Sequence, residues 1–139
     1  MADNRQEFQK LARMRLSDAR ALIKCGNPEG AYYLTGLAVE CALKACIAKN
    51  TMRYDFPPNL NVSRDIYSHD LGKLLTAAKL KTELDAERRG NASLDNKWAV
   101  VIKDWNINSR YAVGGLNARD LYRAVAGRNG VMQWLRQRW

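Results

Sequence analysis

The chain has 139 residues, of which 47% are hydrophobic and 27% are charged, a balance typical of a globular protein rather than a disordered one. Lysine and arginine outnumber aspartate and glutamate by 23 to 14, and the net charge of +9 favours polyanionic partners. A charged surface that only keeps the protein in solution is the alternative. With 3 prolines and 9 glycines, the composition argues against a loop-rich β fold.

The first two predicted elements are long helices joined by a very short connection. An apolar stripe with helical spacing predicts a first helix from about Asn4 to Cys25, interrupted by Arg15. Gly26 would end it, and Pro28 suits the first turn of a second helix that reaches about Asn50. Because the connection is so short, we expect the two helices to pack antiparallel.

The next predicted elements are a long loop and a third helix. The segment from Met52 to Ser68 lacks a helical period and contains Pro57 and Pro58, so it is predicted to be a loop. A third helix is expected from Ser68 to Ala78. The segment that follows, up to Arg89, either continues this helix or forms a separate turn.

Two more helices complete the predicted fold. A fourth helix begins near Ser93 and carries Trp98 and Trp105 on one apolar stripe. A last helix begins at Asn117 and is weakened by glycines at positions 127 and 130. Trp134 and Trp139 lie close to arginines and are expected to form an exposed aromatic and basic surface. The sequence thus predicts an all-α fold, an antiparallel bundle of four to five helices, in one domain spanning residues 1–139.

The cysteines and the most apolar segment indicate the cellular compartment of the protein. Cys25, Cys41 and Cys46 form no C-x-x-C pair and are expected to be reduced. The apolar run from residue 31 to residue 48 contains Glu40 and Lys44, which favours a buried helix over a membrane span. The first ten residues are polar and do not resemble a secretory signal. We therefore expect a cytoplasmic protein that acts away from the membrane, with no metal and no cofactor.

Several segments, in order, resemble the HEPN family, the higher-eukaryote and prokaryote nucleotide-binding domain. The segment from Ala31 to Ala45, AYYLTGLAVECALKA, is similar to the second helix of that family, in which a glutamate is followed four residues later by a lysine. Glu40 and Lys44 match this pair. His69-Asp70-Leu71 resembles the start of the next helix, and Trp105 followed by Arg110-Tyr111 resembles a later region.

The resemblance implies a helical bundle that forms a homodimer with a cleft between the protomers. Some HEPN domains are metal-independent RNases of toxin–antitoxin and defence systems. Others bind nucleotides or accompany a nucleotidyltransferase, so the family alone does not fix the function. The candidate binding residues are Tyr33, Glu40, Lys44, Arg110 and Tyr111. For each there is a plainer interpretation: the tyrosines as core residues, and Glu40 with Lys44 as an ion pair of one helix.

Catalytic HEPN domains resemble one another in a motif of arginine, a polar residue and then a histidine. Arg64, Asp65 and His69 fit this motif, and a histidine with an arginine suits metal-free RNA cleavage because the pair supplies proton transfer and phosphate stabilisation. In RNase members, however, the motif lies near the last core helix, whereas here it precedes the third. His69 is the only histidine. It also has a structural interpretation, as a residue at the start of a helix.

The sequence is therefore compatible with three functions. The favoured one is a noncatalytic domain that binds a nucleotide, RNA or a partner protein such as a nucleotidyltransferase. The second is an endoribonuclease that uses Arg64 and His69 across a dimer cleft. The third is a structural adaptor whose basic surface is only solvated.

Overall fold

The protein is described through residues 4–54 and 66–139 of a computed structural model, the side chains of residues 51–54 excepted. These residues contain α-helices and no β-strand, which confirms the predicted all-α bundle. A π-helical turn covers Val100–Asp104, and a 3₁₀ helix covers Ile107–Tyr111. The α-helices are α1 (Arg5–Lys24), α2 (Pro28–Tyr54), α3 (Leu71–Ala77), α4 (Lys81–Gly90), α5 (Ala92–Ala99), α6 (Ala118–Ala126) and α7 (Val131–Arg136).

The first two helices form as the sequence predicts. The side chain of Asn4 caps α1 by accepting a hydrogen bond from the backbone N–H of Glu7 at 3.0 Å. Gly26, with a φ of +78°, adopts the left-handed conformation that closes the helix. The two helices then pack along each other and form the most extensive helix–helix contact among the described residues.

Helix α2 lies at the centre of the bundle. It contacts α1, α3, the 3₁₀ helix, α6 and α7. Its Pro28–Asn50 portion is long and apolar enough to cross a membrane by length and composition, and 78% of its most apolar window is buried inside the protein. The contacts within the core therefore account for its apolar character.

The structure differs from the sequence prediction in the bounds of several elements. Residues 52–54, predicted as loop, belong to α2, while residues 55–65 lie outside the described part of the chain. The fourth predicted helix is α-helical only to Ala99 and continues as a π turn. The last one is two helices, since the backbone is extended at Gly127, with a ψ of 172°, and at Gly130, with a ψ of −175°. A Cβ at Gly130 would lie 2.7 Å from the carbonyl oxygen of Ala124, so a glycine is required there.

The predicted exposed aromatic surface near the C-terminal arginines is wrong. Trp134 and Trp139 are each only 7% exposed. Arg138 covers the ring of Trp134 at 3.6 Å from its centroid and pairs with Glu83 of α4 at 2.7 Å. Trp139 packs under Arg13 of α1, whose guanidinium carbon is 4.9 Å from the ring centroid. The arginines thus lie over buried rings instead of flanking exposed ones.

Candidate functional site

A buried carboxylate, Glu40, joins two of the predicted site residues. Glu40 is 3% exposed, and its Oε2 accepts a hydrogen bond from the ammonium of Lys44 at 3.2 Å. Its Oε1 lies 2.9 Å from Nδ1 of His69, which belongs to the segment before α3. Glu40 and Lys44 are one turn apart on α2, so their pairing follows from helix geometry. The contact with His69 joins residues that are 29 positions apart.

The segment before α3 holds His69 in place through its neighbours. Asp70 caps α3 by accepting a hydrogen bond from the backbone N–H of Lys73 at 3.0 Å. The hydroxyl of Ser68 accepts one from the N–H of Asp70, also at 3.0 Å. These two local bonds fix the backbone on either side of His69, so its ring is directed at Glu40 by the turn as well as by the carboxylate.

This arrangement defines which nitrogen of His69 is available for chemistry. A carboxylate only accepts hydrogen bonds, so the Nδ1 that faces Glu40 carries the proton. In the neutral ring, Nε2 then keeps its lone pair. The His69 side chain is 51% exposed, which leaves it accessible to a ligand. Such a nitrogen can accept a proton, or donate one when the ring is charged.

His69 lies on a groove of about 470 Å³. Its lining comes from two segments of the chain, residues 68–72 and residues 102, 103 and 105–107. The volume is in the range of small-molecule sites. The groove combines the imidazole, an exposed lysine and an indole, which are groups that suit a phosphate and a base.

The part of the groove lining that contains Ile102 and Lys103 belongs to an unusual piece of backbone. The π turn Val100–Asp104 comes just before Trp105. Such turns are rare in proteins overall, but those that occur are often found at functional sites. Trp105 is 4% exposed and stacks against Tyr33 of α2, with 6.4 Å between the ring centroids and 21° between the planes. Its indole covers Gly36, where a Cβ would lie 1.9 Å from Cε2. Trp105 is therefore a rigid wall anchored on α2.

A second concave surface, of about 500 Å³, lies between α4 and α5. Its charged side chains form ion pairs with neighbours: Arg88 with Asp95 at 2.7 Å, and Asp85 with Lys81 at 3.1 Å. Although it is slightly larger, its lining consists of residues of these surface pairs, the exposed Arg89 and Ala92. The groove beside His69 is the better candidate, because the buried carboxylate of Glu40 contacts His69, which lines the groove.

The predicted site residues separate into three groups. Glu40, Lys44 and His69 come together, and Tyr33 supports the groove through Trp105. Arg110 and Tyr111 lie on the 3₁₀ helix that begins at the edge of the groove. Arg64 and Asp65 lie outside the described residues.

The sequence analysis missed one contribution to the site, Lys103, which lies in the π turn and lines the groove. The only signal in the sequence was a charged residue close to Trp105. Its position in the sequence does not show whether its side chain faces the groove.

The buried thiols are not candidates for the site, since burial raises the pKa of Cys41 to about 11 and that of Cys46 to about 12. Among residues 4–54 and 66–139, no group of His, Cys, Asp and Glu could hold a metal ion.

Comparison of the chain with protein-family models, with curated proteins and with solved structures gives no match.

Proposed function

We propose that this chain is a HEPN-type helical bundle that binds a nucleotide, either free or as part of an RNA strand, in the groove beside His69. One observation carries the proposal: buried Glu40, charge-balanced by Lys44, holds His69 at an open groove of about 470 Å³. Buried charged groups are costly unless they are paired, and here one oxygen of the buried carboxylate is directed to a residue on the surface. A buried carboxylate that orients a surface histidine favours a site over a contact that only stabilises the fold.

The groove provides separate groups for the phosphate and for the base of a nucleotide. Lys103 is exposed on one side and supplies a cation for the phosphate. The ring of His69, which also lines the groove, adds a second polar contact. The half-buried Ile102 and Ile107, together with the small exposed part of Trp105, which Tyr33 backs, supply apolar surface for a base. The net charge of +9 would draw an anionic ligand toward the protein.

The resemblance extends this proposal to the biological setting. We propose a cytoplasmic homodimer in a toxin–antitoxin or defence system, with a nucleotidyltransferase as the protein partner to test. A structural adaptor that binds neither nucleotides nor RNA is the competing interpretation, and the binding experiment distinguishes the two.

Binding of a short fluorescent single-stranded RNA should be measurable and should weaken as salt is added. Replacing Lys103 with alanine should weaken binding at low salt. It should also make the negative slope of log K against log salt shallower by about 0.7, the value of one lost phosphate contact on a single strand. Fluorescence anisotropy over a salt series measures both quantities.

The control for this experiment is Lys24→Ala, which removes the same charge from an exposed position at the end of α1. If general charge alone attracts RNA, both variants lose the same affinity and the groove is not the site. If the wild-type protein binds neither RNA nor mononucleotides, the adaptor interpretation replaces the proposal.

RNA cleavage is a second candidate function, favoured by the 2.9 Å contact between Glu40 and His69. A histidine oriented by a carboxylate is a general base or acid. Its Nε2 would take the proton of a ribose 2′-hydroxyl while that oxygen attacks phosphorus and the bond to the 5′-oxygen breaks. The departing 5′-oxygen needs a proton in return, which the same residue of a second protomer would supply across the dimer cleft. Arg64 would stabilise the phosphorane.

Cleavage of single-stranded RNA in the presence of EDTA tests this candidate. His69→Ala should reduce the rate by at least about 100-fold, the usual contribution of acid–base catalysis. Arg64→Ala should reduce it by about 100-fold or more, the cost of losing one group that stabilises the transition-state charge. RNA that stays intact with wild-type protein, or cleavage that persists in His69→Ala, would exclude the candidate without affecting the binding proposal.

A further inference from the structure

We propose that the groove continues onto Arg110 and Tyr111, so that the preferred ligand is a single-stranded RNA of at least two nucleotides rather than a mononucleotide. The first nucleotide would occupy the groove beside His69, and the next base would stack on Tyr111. This inference rests on the proposed function and specifies its ligand.

The 3₁₀ helix links the groove to this second position. Ile107 lines the groove and is the first residue of that helix. In a 3₁₀ helix, residues three apart lie on the same side, about 6 Å further along the axis. Arg110 is therefore on the groove side, beyond Ile107, at a distance on the scale of one nucleotide of extended strand.

Tyr111 has the exposure and the neighbour of a stacking surface. It is 71% exposed, so its ring is open to a ligand. The guanidinium carbon of Arg110 lies 4.8 Å from its ring centroid. A base could stack on the ring while the arginine contacts the adjoining phosphate, a combination common in proteins that bind single strands.

The support beneath this pair is firm. Ser109, between the groove and Tyr111, is 8% exposed, and its hydroxyl donates to the carbonyl of Asn106 at 2.7 Å. The side chain of Asn106 accepts a hydrogen bond from the N–H of Asn108 at 2.9 Å. The 3₁₀ helix also packs against α2. Arg110 and Tyr111 are thus presented on a braced turn, which lowers the entropy lost on binding.

The experiment compares the affinities of a mononucleotide and of a short single-stranded RNA in three variants. Tyr111→Ala should lower RNA affinity about tenfold, the effect of one lost stacked base, and leave mononucleotide affinity unchanged. Tyr111→Phe keeps the ring and should keep RNA affinity. Val113→Ser removes a neighbouring apolar side chain that is 98% exposed and should change neither affinity.

The outcomes separate this inference from the proposed function. If the mononucleotide binds as tightly as the RNA, or if Tyr111→Ala leaves RNA affinity intact, the second position does not exist while the groove remains. If neither ligand binds the wild-type protein, both the proposed function and this inference fail.

Discussion

Replacing Gly36 with alanine should lower the free energy of unfolding by at least about 2 kcal/mol, even though alanine favours a helix interior over glycine by about 1 kcal/mol. The reason is the indole of Trp105, whose Cε2 would lie 1.9 Å from the new methyl group and whose Nε1 would lie 2.1 Å from it. Trp105 is 4% exposed and stacked against Tyr33, so it cannot yield without disturbing the wall of the groove. Urea unfolding followed by tryptophan fluorescence measures the change.

A matched glycine gives the control. Gly90 is also helical, and a Cβ there would meet nothing within 4 Å, so Gly90→Ala should be neutral or slightly stabilising. The clash itself is isolated in a Trp105→Ala background, where adding Gly36→Ala should cost nothing further. If Gly36→Ala remains destabilising without the indole, the contact with Trp105 is not its cause.

Replacing Glu40 with glutamine should destabilise the protein by about 3–5 kcal/mol, since it leaves the ammonium of Lys44 buried without a countercharge. Lys44 is 8% exposed, and its Nζ lies 3.2 Å from the carboxylate that would be removed. His69 would lose its charged partner at the same time, so nucleotide affinity should fall as well. Chemical denaturation and binding of a labelled mononucleotide report the two effects.

An exposed pair of the same design serves as the comparison. Lys81 and Asp85 are also one helical turn apart, at 3.1 Å, with side chains 60% and 41% exposed. Asp85→Asn should change stability by no more than about 1 kcal/mol, because water screens exposed ion pairs. The double variant Glu40→Leu with Lys44→Met should recover much of the lost stability. A loss in Glu40→Gln as small as that in Asp85→Asn would show that burial does not matter here.

The two predictions would also report on the site from opposite sides. Gly36 supports the wall formed by Trp105, and Glu40 supports His69, so each substitution alters one face of the same groove. Loss of nucleotide binding in both, with the controls unaffected, would tie the fold of α2 to ligand recognition.

Some features of this protein follow from local sequence signals. The ends of α1 and the start of α2 could be predicted, because Asn4, Gly26 and Pro28 begin or end a helix through contacts within the adjacent turn. The pairing of Glu40 with Lys44 was anticipated for the same reason, since four residues make one turn. Even the weakness of the last helix could be read from its two glycines, although the full break into α6 and α7 could not.

Other features were decided by the tertiary structure. The contact of Glu40 with His69, the seating of Trp105 on Gly36 and the burial of Trp134 join residues that are far apart in the chain. Periodicity shows which face of a helix is apolar, but it does not show which side chain of another helix will lie against it. That depends on the angle and separation at which helices pack, which only the assembled core determines.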